Sequence, residues 1–236
     1  MPTAQVNCSA MGACTTGEPT TGTHSTWAAS RNATTSIVSQ TNSNPNTDCG
    51  PRILSGRGSL SYRLSRTYIT WNNLSTYAPN ITALAVRTTM DAAFGITNYR
   101  CVQSTAYSTG TSTTLASGDF DSNGSNTNTL YVSSQIAFTA NSATTITLNS
   151  TAVTYANSNS KLIIGFIEDK YDYTNFDPGS AGNYYGEFDF SALSNHILDI
   201  TYTTGFSHEV NGVSGANIDE INGVSSSDID ELNGVS

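Results

Sequence analysis

Asp119, Asp121, Asn123 and Gly124 stand at the spacing of the first half of a calcium loop. Oxygen donors two residues apart converge on a hard cation there, and the glycine allows the sharp turn. Leu130 occupies the place of the bidentate glutamate, so a plain turn explains the same residues, and a structural calcium would need an acid from elsewhere. Glu168, Asp169, Asp172 and Asp177 form a second acidic stretch able to supply that acid, or a site of its own, although such loops are usually solvated. Around it lie the rings of Tyr171, Tyr173, Phe176, Tyr184 and Tyr185. Flat apolar faces beside Asp and Asn suit stacking and hydrogen bonding to a glycan, and a packed loop or an intersubunit contact suits them equally. Catalysis finds little support. His24, His196 and His208 have no metal-ligand spacing, and the many Ser and Thr residues include no Gly-X-Ser-X-Gly elbow. The expectation is a protein that is not an enzyme.

The elements that must position these residues are short and β-rich. Ten runs read as strands: 34–40, 60–64, 66–71, 81–90, 98–106, 130–139, 144–148, 161–169, 186–190 and 197–203. With no long helical period they imply an all-β sandwich. The run from Lys161 to Asp169 is apolar on both faces and belongs at the centre of a sheet, whereas 187–190 and 196–202 alternate and should face water on one side. One short helix is expected around Ser150 to Tyr155. Residues 1–24, rich in Thr, Gly and other small residues, read as an extended arm.

The C-terminal end repeats itself. Val210-Asn-Gly-Val, Ile221-Asn-Gly-Val and Leu232-Asn-Gly-Val recur every 11 residues. Val210, Val213, Ile218, Ile221, Val224, Ile229, Leu232 and Val235 make an apolar stripe too small for a core of its own, so it must dock on something. Within each repeat, a stretch such as Ser226 to Gly234 reads as an N-capped helical turn ended by Asn-Gly in a left-handed cap; a solvated, disordered tail is the plainer reading.

Composition narrows the function classes. Charged residues are only 11%, and the net charge is −9. Six of the 18 acids lie in 206–236, which holds no Lys or Arg, leaving 12 − 9 = 3 net negatives for 1–205. No basic cluster marks a nucleic-acid partner, and the six Arg between Arg52 and Arg100 read as strand-flanking surface charges. No apolar run approaches a membrane span, and the first residues lack the pattern of a signal peptide. An exterior-type composition without an export signal fits a protein made in a cytoplasm and released by lysis, as virion proteins are; a trimmed secreted protein would look the same. Cys8, Cys14, Cys49 and Cys101 permit three pairings, a small loop 8–14 and a bridge 49–101 among them, or remain as buried thiols.

The segments Arg66 to Ser75, Asn80 to Val86, Ser112 to Asp121, Lys161 to Asp169 and Leu198 to Tyr202 resemble, in order and spacing, the jelly-roll domains similar to carbohydrate-binding modules of secreted bacterial proteins and phage virion proteins. The Asn-Gly-Val tail resembles repeats at the ends of phage structural proteins. The resemblance implies a scaffold for display or attachment. The expected organisation is an arm over 1–24, a jelly-roll β-sandwich over 25–205 and an acidic assembly tail over 206–236. The expected function is that of a structural component on a virion exterior, a homo-oligomer that assembles through its arm, sandwich edges and C-terminal repeats and contacts other virion proteins. A carbohydrate-binding or host-attachment module using the rings near 171–188, and a secreted matrix or sheath subunit, are the alternatives.

Overall fold

The computed structural model describes residues 1–16, 24–34, 36–40, 46–56, 59–95, 98–107, 112–123, 129–204, 220–221 and 224–225. The fold is all-β. Its strands are β1 (Thr3–Asn7), β2 (Ala10–Thr16), β3 (Ile37–Gln40), β4 (Asn46–Gly56), β5 (Ser59–Trp71), β6 (Ile81–Phe94), β7 (Asn98–Gln103), β8 (Ile136–Ala137), β9 (Ser142–Thr147), β10 (Leu162–Glu168), β11 (Gly182–Asn183), β12 (Tyr185–Asp189), β13 (His196–Tyr202), β14 (Glu220–Ile221) and β15 (Val224–Ser225). Two helices join them, α1 (Trp27–Arg31) and α2 (Ser150–Asn159). Thirteen strands form one antiparallel sheet along the path β1-β13-β6-β12-β4-β5-β10-β7-β8, with β9 beside β6, β2 and β3 beyond β5, and β11 on β4.

Strand β4 ties two portions of this sheet together. Its first residues pair with β12 and its later ones with β5. Gly50 stands at the change of partner with φ 120°, and a Cβ there would collide with the carbonyl oxygen of Tyr184. Only glycine meets both demands. The portions pack face to face: Trp71, Val86, Met90, Phe166, Phe188 and Leu198 share one core, and the Phe166 and Phe188 rings stack at 5.0 Å. A second core lies on the opposite face of β2, β5 and β10, where Trp27, Tyr68, Phe120, Ile163 and Tyr171 meet beneath α1 and the loops.

These two cores explain β10. It pairs with β5 and β7, and all seven of its residues are buried, as its two-sided apolar pattern requires. Strands β12 and β13 alternate as expected. The expected runs 60–64 and 66–71 are one continuous strand, β5. Helix α2 runs to Asn159, held at its start by Asn149, whose Oδ1 accepts from the amides of Thr151 and Ala152.

Several expectations fail. The first sixteen residues are not an arm: β1 pairs with β13, while β2 lies between β3 and β5 with all seven residues buried. Strand β4 and helix α1 were not expected at all. The expected strand 130–139 reduces to β8 and a single bridge from Leu130 to Val102. Of the cysteine readings left open, that of buried thiols is the one found: all four are buried and free, and neither disulfide forms. Arg66 is not a surface charge but is 2% exposed. Among the described residues of the tail, β14 and β15 make a two-stranded sheet of their own, with Ile221 opposite Val224. Glu220 and Ile221 are therefore strand where the end of a helical turn was expected, and Asn222 and Gly223, the expected cap, lie outside the described residues.

Candidate functional site

The acidic stretch and the aromatic residues converge where β10 ends. Glu168 is its last residue, and Asp169–Tyr173 follow as a π-helical turn. The buried Glu168 carboxylate caps that turn by accepting from the amides of Lys170 (2.7 Å), Tyr171 (2.5 Å) and Asp172 (3.3 Å). Burial pushes its carboxyl up to about 7, against the opposing pull of these three amides.

Neighbouring acids are each matched to arginine. The carboxylate of Asp172 takes a two-pronged contact from Arg66, Nε to Oδ2 at 2.8 Å and Nη2 to Oδ1 at 2.7 Å. Arg31 from α1 donates its Nε to the Asp172 carbonyl at 2.7 Å and stands 3.5 Å from Oδ1. The remaining Arg66 donors reach the carbonyls of Phe120 (3.0 Å) and Arg31 (3.2 Å), and its guanidinium lies 4.2 Å from the centre of the Phe120 ring. Asp169, on the same turn, accepts from Arg100 and Gln135, both at 2.5 Å, while Arg100 lies over the Tyr173 ring. The expected acidic loop is thus a buried charge network that fixes the turn. Asp177, beyond it, accepts from the Gly179 amide.

This turn sets the positions of the rings. Tyr171 is buried against Tyr184 (4.8 Å between centres) and Phe176 (6.1 Å), and the Lys170 ammonium lies over both Tyr171 and Phe176. Phe176 is 55% exposed, Tyr173 and Tyr184 are half-buried, and Tyr185 is buried on the opposite side against Phe94, with Arg52 over its ring. Four of the five expected rings therefore gather at the turn and Tyr185 does not. Only Phe176 offers a largely open face.

The calcium candidates behave differently. Residues Ser117–Asn123 form a 3-10 helix, and Oδ2 of Asp119 accepts from the Ala116 amide at 2.8 Å, which is how a plain turn uses an aspartate. Asp121 is exposed, and among the described residues no three His, Cys, Asp or Glu side chains converge for a metal. Gly124 lies outside the described residues. Of the stripe residues, Ile221 and Val224 are opposed in the hairpin, while Val210, Val213, Ile218, Ile229, Leu232 and Val235 lie outside the described residues.

Two features had no sequence signal. His196 is buried between the Thr88 hydroxyl (2.6 Å) and the Asp189 carbonyl (2.7 Å); the carbonyl can only accept, so Nε2 carries the proton and Nδ1 accepts from Thr88. Burial lowers its pKa to about 4. Along α2, an open groove of about 440 Å³ is lined by Gln103, Ser150, Thr151, Thr154, Tyr155 and Ser158. Its lining is uncharged and rich in hydroxyls. Compared with known protein families and with curated proteins, the chain matches no family model and no protein. No helix among the described residues is long and apolar enough to cross a membrane.

Proposed function

We propose that the chain is a non-enzymatic structural protein of a virion exterior, a phage-like fibre, decoration or tail component, assembled with copies of itself and with other virion proteins through its C-terminal repeats. The hairpin β14–β15 carries this reading. Among the described residues its strands contribute two residues each and pair with one another alone, and so small a two-stranded sheet is marginal in water without a surface to pack on. The same Asn-Gly-Val unit occurs three times in the sequence, so the apolar positions that need a partner surface recur along the tail. Two sheet portions sharing β4 support a jelly-roll sandwich as the body that displays them.

The cysteines favour a virion component over a secreted matrix or sheath subunit. Four buried thiols, three of them donating to backbone carbonyls, are what a chain made in a reducing cytoplasm retains, whereas an oxidising export route selects for bridges. Light scattering of the full chain beside a version ending at Gly205 tests the proposal. The expected result is an oligomer whose mass falls on truncation; a monomer in both forms that also captures no other particle protein would overturn it.

Phe176 favours a second reading, a carbohydrate-binding or host-attachment module. An exposed ring on a rigid turn, beside half-buried Tyr184 and Tyr173, is a stacking surface for a pyranose face. Glycan-array binding lost in Phe176→Ala and Tyr184→Ala is the expected result on this reading, and no binding to any glycan counts against it.

A further inference from the structure

Among the described residues the four-stranded block β1-β13-β6-β9 has two sides that no strand covers, and hydrogen-bond parity shows which groups they present. The Cys8 amide donates to the His196 carbonyl (2.9 Å) and the Tyr202 amide to the Pro2 carbonyl (3.2 Å), so the even residues of β1 bond β13. The amides and carbonyls of Thr3, Gln5 and Asn7 therefore point away from the sheet. By the same rule, the Leu148 amide donates to the Leu84 carbonyl (3.0 Å), so the even residues of β9 bond β6. Ala143, Thr145 and Thr147 point outward there. All six residues are exposed, and β1 and β9 have no further partner strand among the described residues.

Natural sheets blunt such edges with charge, proline or a bulge. Within Thr-Ala-Gln-Val-Asn of β1 and Ser-Ala-Thr-Thr-Ile-Thr of β9 there is neither a charged residue nor a proline, and both registers run without a shift. The two edges match each other in length, five residues against six. Their directions match as well. Alternation through four antiparallel strands leaves β1 and β9 opposite in sense, so β9 of one molecule laid beside β1 of the next continues the antiparallel order.

We infer that β1 and β9 are complementary edges through which one copy of the chain adds to the next by main-chain pairing. This inference rests on the structural reading above and deepens it by naming the second copy as partner and the edges as the contact. Such a contact is heterologous: each molecule keeps one edge free, and growth continues until a ring closes or a row ends. The body suits it, since its 3 net negatives leave little charge to repel a neighbour.

Proline provides the test, because residues 5 and 145 direct their amides outward and lose no internal hydrogen bond on substitution. Full-length Gln5→Pro and Thr145→Pro are compared with wild type by analytical ultracentrifugation over a concentration series, with thermal melts to verify folding. Each variant alone is expected to form no rows at concentrations where wild type does, a loss of at least about tenfold in association constant, and to keep only the association that the C-terminal repeats sustain. An equimolar mixture is expected to regain association that neither variant shows alone, since one variant retains β9 and the other β1. Should the mixture regain none, or should both variants assemble like wild type while truncation at Gly205 abolishes assembly, the edge pairing is wrong and the tail reading stands. A monomeric wild type that also captures no other particle protein overturns both.

Discussion

Replacing Asp172 by Asn tests the buried network that holds the aromatic turn. Asp172 is 1% exposed and Arg66 2%, so the two-pronged contact between them is out of reach of water. Arg31 leans on the same carboxylate at 3.5 Å. The side-chain amide introduced by Asp172→Asn nearly preserves shape but removes the negative charge that two buried guanidinium groups share. Breaking a buried pair from one side costs roughly 3–5 kcal/mol, a large part of the about 5–15 kcal/mol that holds a domain together. At ~2–4 °C per kcal/mol for a body of this size, Tm should fall by roughly 6–20 °C. Urea unfolding followed by tryptophan fluorescence reads the change, since Trp71 sits in the first core and Trp27 in the second. The matched control is Asp199→Asn, which breaks a contact of similar geometry with Arg87, but with both side chains about a third exposed; it should melt close to wild type. If Asp172→Asn is no worse than Asp199→Asn, the network does not hold the turn and the reasoning fails.

Glu168 and His196 give opposed pH dependences. Glu168 binds its proton more tightly when folded, so its contribution is full below the unfolded value near 4.5 and is lost as pH rises towards 7. His196 binds its proton less tightly when folded, so its contribution is present above 6.5 and is lost as pH falls towards 4. The terms offset one another over pH 5–6.5, and Glu168→Gln should unmask an acid loss of order 3 kcal/mol in urea titrations; a wild-type and variant difference that does not change with pH refutes this. Ellman's reagent should find no rapidly reacting thiol in the native protein and four after denaturation. Gly186→Ala should destabilise the protein by more than about 1 kcal/mol, because its Cβ would collide with the Tyr99 hydroxyl and meet Met90 Cε at 2.6 Å; a variant that melts with wild type would contradict that packing. Deleting residues 1–16 should prevent folding, as judged by loss of near-ultraviolet circular dichroism, whereas a detachable arm would leave the signal intact.

What the sequence disclosed depended on whether a residue's environment was local. Strands β10, β12 and β13 were legible because their burial follows the chain in steps of one or two. Strand β2 was not, since Ala10-Met-Gly-Ala-Cys-Thr-Thr is small, buried on both faces, and without any period to read. In β4, Gly50 and Pro51 signal a turn and in fact mark the change of partner strand. The aromatic cluster was visible as a run of rings. Its support was hidden, because Arg66 and Arg31 lie 106 and 141 positions from Asp172, and nothing local separates them from surface arginines.

Strand β13 is the last described element before the tail, and it is flanked on both sides, by β1 over five register pairs and by β6 over seven. Tension applied through residues 205–236 would thus arrive along the axis of a strand gripped from two directions. Such a load shears many hydrogen bonds together and cannot unzip them singly. The arrangement of β13 therefore resists unfolding when the body is pulled by its C-terminal end.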